Sequence, residues 1–121
     1  HDRGALIAGV TDGANGSYFV WPDGMAYRCQ PFSQASVVDT TGAGDSFHGA
    51  FLSKLAVSIR QENALYGEFI KPIDILQSLD HKQLESAAIF ASAVSALNTQ
   101  GIGGRSALPS LKSACNLAGL E

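Results

Sequence analysis

Val38-Asp39-Thr40-Thr41-Gly42-Ala43-Gly44-Asp45-Ser46-Phe47-His48-Gly49-Ala50-Phe51-Leu52 is the stretch on which the reading of this chain turns. Two valines run into small and hydroxyl residues, and then the period changes. Phe47, Phe51, Leu55 and Ile59 recur at every fourth position, which predicts a helix beginning near Ser46 with one buried face. Gly42, Ala43 and Gly44 therefore sit where a turn feeds a helix. The start of a helix carries unpaired N–H groups and partial positive charge, so it attracts anions. Residues this small let a phosphate reach the backbone. Asp45 stands out there because a carboxylate repels an anion. Its useful task is to take a proton from a hydroxyl that attacks the phosphate, while the N–H groups of Ala43, Gly44 and Asp45 hold the developing charge. The plainer alternative is a helix cap, since aspartate is common at helix starts.

Upstream, Ala5-Leu6-Ile7-Ala8-Gly9-Val10 is an apolar run without polar alternation, as in a central strand covered on both faces. Thr11-Asp12-Gly13-Ala14-Asn15-Gly16 follows as a loop. Ser17 to Trp21 and Met25 to Cys29, joined by Pro22-Asp23-Gly24, predict a β-hairpin. Downstream, residues 60–82 are mixed and more polar, broken by Gly67 and Pro72, with a short helix over Ile73 to Leu79. Gln83 to Leu97 is helical again, and its alanines and serines suit close helix packing. Gly101-Ile102-Gly103-Gly104 stops that helix, and Pro109 opens a last short one. Strand, hairpin, loop and helices make an α/β layout, the end of a larger sheet.

Composition narrows the function. The chain has 121 residues, 45% hydrophobic and 16% charged, which suits one folded domain rather than a disordered segment. A net charge of −3 without a basic stripe argues against nucleic acid as a partner. No apolar run nears the roughly 18 residues of a membrane span. Cys29 and Cys115 are far apart and lack metal-site spacing, so a reducing, cytoplasmic setting is the expectation. The chain does not begin with methionine, which suggests a piece of something longer. Neither a GxxxxGK[ST] loop nor a complete dinucleotide fingerprint is present.

The stretch from Asp39 through Leu52 resembles the second signature of the PfkB, or ribokinase-like, family of carbohydrate kinases. Thr11-Asp12-Gly13-Ala14-Asn15-Gly16 is similar to the family's Thr-x-Gly-x-x-Gly loop, with Asp12 standing where an apolar residue is frequent. Phe90 through Pro109 resembles the family's later small-residue helix and glycine loop, less specifically; a packed alanine-rich helix reads equally well there.

The resemblance implies the C-terminal, nucleotide-binding and catalytic portion (residues 1–121) of a single kinase domain, in a doubly wound α/β sandwich. The substrate and lid portion would precede it. It implies ATP and Mg2+ as cofactors and a sugar or sugar-like acceptor. Asp45 would be the base and Gly42, Ala43 and Gly44 the anion hole. Thr11, Gly13, Gly16 and Ser92 would line the nucleotide. Asp39 and Thr41 match positions that hold a monovalent cation such as K+ in several members, assisted by backbone oxygens of the later loop around Asn98, Gly101 and Gly103, though Asp39 equally suits a turn brace that accepts backbone N–H groups. A homodimer is compatible with the resemblance. Two alternatives stay open: a non-catalytic nucleotide-binding or regulatory relative, and a nucleoside or vitamin-precursor kinase of the same superfamily. His48 reads as a surface or partly buried histidine, His81 as solvated loop, and Tyr18, Phe19 and Trp21 as core or cross-strand pairs.

Overall fold

The computed structural model of the chain describes residues 2–33, 37–67 and 69–120. Strands β1 (Ala8–Thr11), β2 (Ser17–Val20) and β3 (Ala26–Cys29) form an antiparallel sheet in the order β1-β2-β3. Helices α1 (Ala43–Tyr66), α2 (Pro72–Ser78), α3 (His81–Asn98) and α4 (Leu111–Ala118) follow.

The hairpin forms as its sequence predicts. Pairing sets Ser17 opposite Cys29 and Phe19 opposite Tyr27, so Ser17, Phe19 and Cys29 turn inward while Tyr18 and Arg28 turn out. The tight turn closes by Trp21 N–H donating to Met25 O at 2.9 Å, and the Asp23 side chain accepts the Met25 N–H. Phe19 joins the layers: its ring lies 5.0 Å from Trp21, 6.2 Å from Phe47 and 5.0 Å from Phe51. The sheet is thereby packed on the every-fourth-residue face of α1. Phe47, Phe51 and Leu55 are buried there, and Ile59 packs beside them.

α3 makes the most extensive contact with α1. Ala87, Ala88 and Ala91 are buried, and their small side chains let the two backbones come close. A capping box starts α3: Asp80 accepts from Gln83 N–H, and the Gln83 side chain accepts from Asp80 N–H. Pro72 at the first turn of α2 and Ser110 before α4 mark the other starts.

Expectations change at β1, at α1 and at His81. β1 begins at Ala8 rather than Ala5, and among the described residues it pairs on one edge only. It is not covered on both faces: Val10 is 60% exposed, opposite Tyr18. α1 begins at Ala43, three residues before Ser46, because the turn ends at Gly42. It also runs on to Tyr66 through the region read as mixed, where Arg60, Gln61 and Glu62 lie along the helix. His81 is not loop: it opens α3, and its Nε2 lies 2.6 Å from Asp23 Oδ2. That pair ties the hairpin turn to the helix start.

Candidate active site

The turn before α1 is built around Gly42. Its φ of 75° and ψ of 4° are left-handed, and a Cβ there would stand 2.7 Å from the Cα of Gly104. Both the conformation and the close approach require glycine. Gly44 is different. It lies inside the first turn of α1 without positive φ, and a Cβ added to it meets nothing within 4 Å. The left-handed residue of this turn is Gly42 and not Gly44.

The first N–H groups of the helix divide between two tasks. Ala43 N–H donates to Thr40 O at 3.2 Å, closing the turn, and Ser46 N–H donates to Gly42 O. The N–H groups of Gly44 and Asp45 have no partner among the described residues. These two are the groups free to meet an anion. The Asp45 side chain does not cap the helix; it is exposed and lacks a hydrogen-bond or ion-pair partner among the described residues. His48 turns its Nδ1–H back to the Gly44 carbonyl at 2.8 Å and remains exposed.

The turn is docked on the end of α3. The Thr99 carbonyl accepts from both Val38 N–H (2.8 Å) and Asp39 N–H (3.1 Å). Asp39 in turn holds the turn and the glycine loop together. Its Oδ1 accepts from the Thr41 N–H (2.9 Å) and hydroxyl (2.7 Å), and its Oδ2 accepts from Gly103 N–H (2.8 Å). The Thr41 hydroxyl first, then the N–H groups of Gly103 and Thr41, hold this carboxyl below the usual range. Asn98, fully buried, donates from Nδ2 to Gly104 O at 3.3 Å, and its Oδ1 lacks a hydrogen-bond partner.

A cavity of about 450 Å³ opens beside the turn, a size suited to a small organic ligand. One wall is the end of β1 at Thr11 with the loop after it, where Gly13 and Gly16 stand. Another is the α1 start at Ala43 and Gly44. Ser92, Ser95 and Thr99 face it from α3. The loop holds its shape by Asp12 N–H donating to Gly16 O at 2.8 Å, and by Asn15 Nδ2 reaching Asp12 Oδ2 at 3.1 Å. Asp12, the departure in that motif, has this local role. Gly16 has φ 94°, and a Cβ on it would meet the Cys29 carbonyl.

A sequence profile described as pfkB family carbohydrate kinase matches residues 2–111. The chain belongs to that family. A bifunctional ribokinase/ribose-5-phosphate isomerase A of Fructilactobacillus sanfranciscensis is 30% identical over 116 residues, which take in 96% of this chain and 17% of that protein. A probable chloroplastic fructokinase of Arabidopsis thaliana is 35% identical over 94 residues, covering 73% of this chain and 20% of that protein. A double mutant of fructokinase from Vibrio cholerae, crystallised with fructose, ADP and potassium ion, overlays 97% of this chain on 32% of its own with a TM-score of 0.73 at 23% identity. The likeness shows a ribokinase-like α/β fold. This pfkB-family chain spans a third or less of the length of these relatives.

The structure sorts most of the sequence-derived residues of the pfkB-family chain into two groups, while Gly42 and Asp45 lie on the turn and first helical turn beside the cavity and are not among its lining residues. Thr11, Gly13, Gly16, Ala43, Gly44 and Ser92 share the cavity. Asp39 binds Thr41 within its turn and Gly103 of the glycine loop, and Asn98 binds Gly104 of that same loop. Gly101 sits in the same loop but packs against Ala107, which a Cβ would strike at 2.6 Å. Thr40, Ser95, Thr99 and the Pro31–Ser33 segment also line the cavity, and sequence reasoning missed them. Ser95 and Thr99 carried a signal, because they lie three and seven residues past Ser92, on one helix face. Cys29 and Cys115 are free thiols, and burial pushes the Cys29 thiol up, which suits packing rather than nucleophilic chemistry.

Proposed function

We propose that this chain is the C-terminal, nucleotide-binding and catalytic portion of an ATP-dependent kinase that phosphorylates a hydroxyl of a sugar or sugar-like acceptor. One observation carries the reading. Asp45, without a partner among the described residues, shares a helical turn with two N–H groups likewise unpartnered, beside a cavity of ligand size. Asp45 accepts the proton of the acceptor hydroxyl as its oxygen attacks the γ-phosphorus. The bond to the β-phosphate oxygen breaks, and ADP leaves. The N–H groups of Gly44 and Asp45, in the turn shaped by Gly42 and Ala43, hold the charge on the transferring group. Thr11, Gly13, Gly16 and Ser92 receive the nucleotide.

Among the described residues no three His, Cys, Asp or Glu side chains cluster as metal ligands. Mg2+ would arrive on the nucleotide phosphates, as is usual for this ion. The group behind the turn suits a monovalent cation such as K+. Asp39 Oδ2 keeps one lone pair, and Asn98 Oδ1 is a buried acceptor without a hydrogen-bond partner. The cation would balance the charge of Asp39 and stiffen the turn.

The test is ADP release by the full-length protein with ATP and a panel of hexoses, pentoses, nucleosides and vitamin precursors. Fructose and ribose head the panel because the named relatives are fructokinases and ribokinases. Turnover on a sugar is expected. Turnover on a nucleoside or vitamin precursor alone would move the protein to a sister activity. ATP binding without turnover would make it a non-catalytic relative.

A further inference from the structure

We propose that Ser95 is a positioning residue for phosphoryl transfer, holding the start of α1 in register with the cavity; this rests on the kinase reading above. The Ser95 hydroxyl donates to the Ala43 carbonyl at 3.0 Å, across 52 residues of sequence. Helical serines usually turn back on their own helix. Ser46, Ser53 and Ser78 do so here, each bonding the carbonyl three residues before it. Ser95 instead reaches from α3 to the first residue of α1. Its rotamer is set by the contact between helices.

Ala43 is thereby held at both its N–H and its carbonyl. Its N–H closes the turn on Thr40, and its carbonyl accepts from Ser46 and Ser95. The next two N–H groups, of Gly44 and Asp45, are those left for an anion. The Gly44 N–H shares one rigid peptide plane with the Ala43 carbonyl, so the hydrogen bonds that hold that carbonyl also set the direction of the first free donor. Among these docking contacts, Ser95 holds the residue next in sequence to Gly44 and Asp45. Thr99 holds Val38 and Asp39, and Gly103 holds Asp39, but both act before the helix begins. Small displacements of reacting groups have large effects on rate, so a single tie at this point governs transfer more than stability. Ser95 itself faces the cavity, so bound nucleotide and the α1 start bear on the same side chain.

The experiment compares Ser95→Ala, Ser95→Thr and Ser95→Val in the full-length enzyme, with the acceptor that the wild type phosphorylates. Threonine and valine have nearly the same shape and differ in the hydroxyl. Threonine should keep kcat within about threefold of wild type, and alanine and valine should lose roughly three- to thirty-fold, the range for one lost hydrogen bond that acts on transfer. The KM of the acceptor should stay within about twofold in all three, and threonine and valine should melt together. Wild-type kcat in the alanine variant would overturn the inference. So would a common fall of threonine and valine, which would assign the effect to volume. A wild type that phosphorylates nothing on the panel would instead remove the kinase reading itself.

Discussion

The carboxylate of Asp39 accepts a hydrogen bond from Gly103 N–H, 64 residues further on, at 2.8 Å, while its other oxygen holds Thr41. One side chain thus joins the turn before α1 to the loop after α3. Three donors point at it, so Asp39→Asn would set an amide N–H against at least one of them. The Thr41 hydroxyl and the two N–H groups lower this carboxyl in the folded chain. A carboxyl lowered by folding stabilises above its unfolded pKa, near 3.9, and loses that contribution as pH falls through its lower folded value. The stability gap between wild type and Asp39→Asn should therefore be flat from about pH 5 to 8 and close below about pH 4. Chemical denaturation across that range measures it. Activity should also rise when K+ replaces a bulky organic cation, and Asp39→Asn should blunt the rise. A flat cation profile in the wild type would leave Asp39 as a turn brace.

Gly42 and Gly44 look alike in sequence and should respond oppositely. Gly42→Ala puts a Cβ into a left-handed residue and against Gly104. It should cost about 1–3 kcal/mol of stability and most of the turnover. Gly44→Ala meets open space in a helical turn, where alanine is the better helix former by up to about 1 kcal/mol. Its melting temperature should hold or rise. Any loss of ATP affinity in Gly44→Ala then measures crowding of the phosphate alone, and Gly44→Val should enlarge that loss without unfolding the protein. Normal ATP affinity and turnover in both Gly44 variants would remove the anion-hole assignment.

Asp45→Asn separates catalysis from binding. The side chain has no hydrogen-bond or ion-pair partner among the described residues to lose, so the fold should be unchanged. Turnover should fall roughly a hundred-fold to ten-thousand-fold, as for a positioned base. Nucleotide affinity should hold or improve, because a charge facing the phosphates is gone. Retention of more than about a tenth of wild-type turnover would exclude Asp45 as the base.

The pattern from Asp39 to Leu52 was legible because its parts are local: small residues at a turn, then an apolar period that Phe47, Phe51 and Leu55 bury as expected. The hairpin was legible for the same reason. Contacts between distant segments were not. Nothing in the spacing of Ser95 says that its hydroxyl meets Ala43, nor that Gly104 lies against Gly42, because a helical period gives the buried face but not its neighbour. Asp80-His81-Lys82 reads as solvated loop by charge, yet His81 meets Asp23 from 58 residues away. Polar residues along the last turns of α1 hid its length, since a half-exposed helix and a loop share that composition. β1 misled in the opposite way. Its continuous apolar run implies two covered faces, and within the described residues one of them is open.

That open face supports the last prediction. Ala8, Val10, Tyr18, Val20, Ala26 and Arg28 share it by register, with the Arg28 guanidinium 5.4 Å from the Tyr18 ring. Val10 is 60% exposed on β1, which among the described residues pairs along one edge only, and Tyr18, 40% exposed, lies opposite it on β2. Apolar side chains beside an unpaired edge favour strand addition between copies. Residues 1–121 expressed alone should therefore self-associate at micromolar concentration and phosphorylate no sugar. Val10→Lys places a charge on that face and should reduce the association, as charges on natural edge strands do. In the full-length protein, where more polypeptide would cover the face, the same lysine should destabilise by burying an unpaired charge. Light scattering of the short chain and thermal melts of the long one read the two arms. A monomeric 121-residue product with a cooperative melt, together with a long protein indifferent to Val10→Lys, would mean that the face needs no cover.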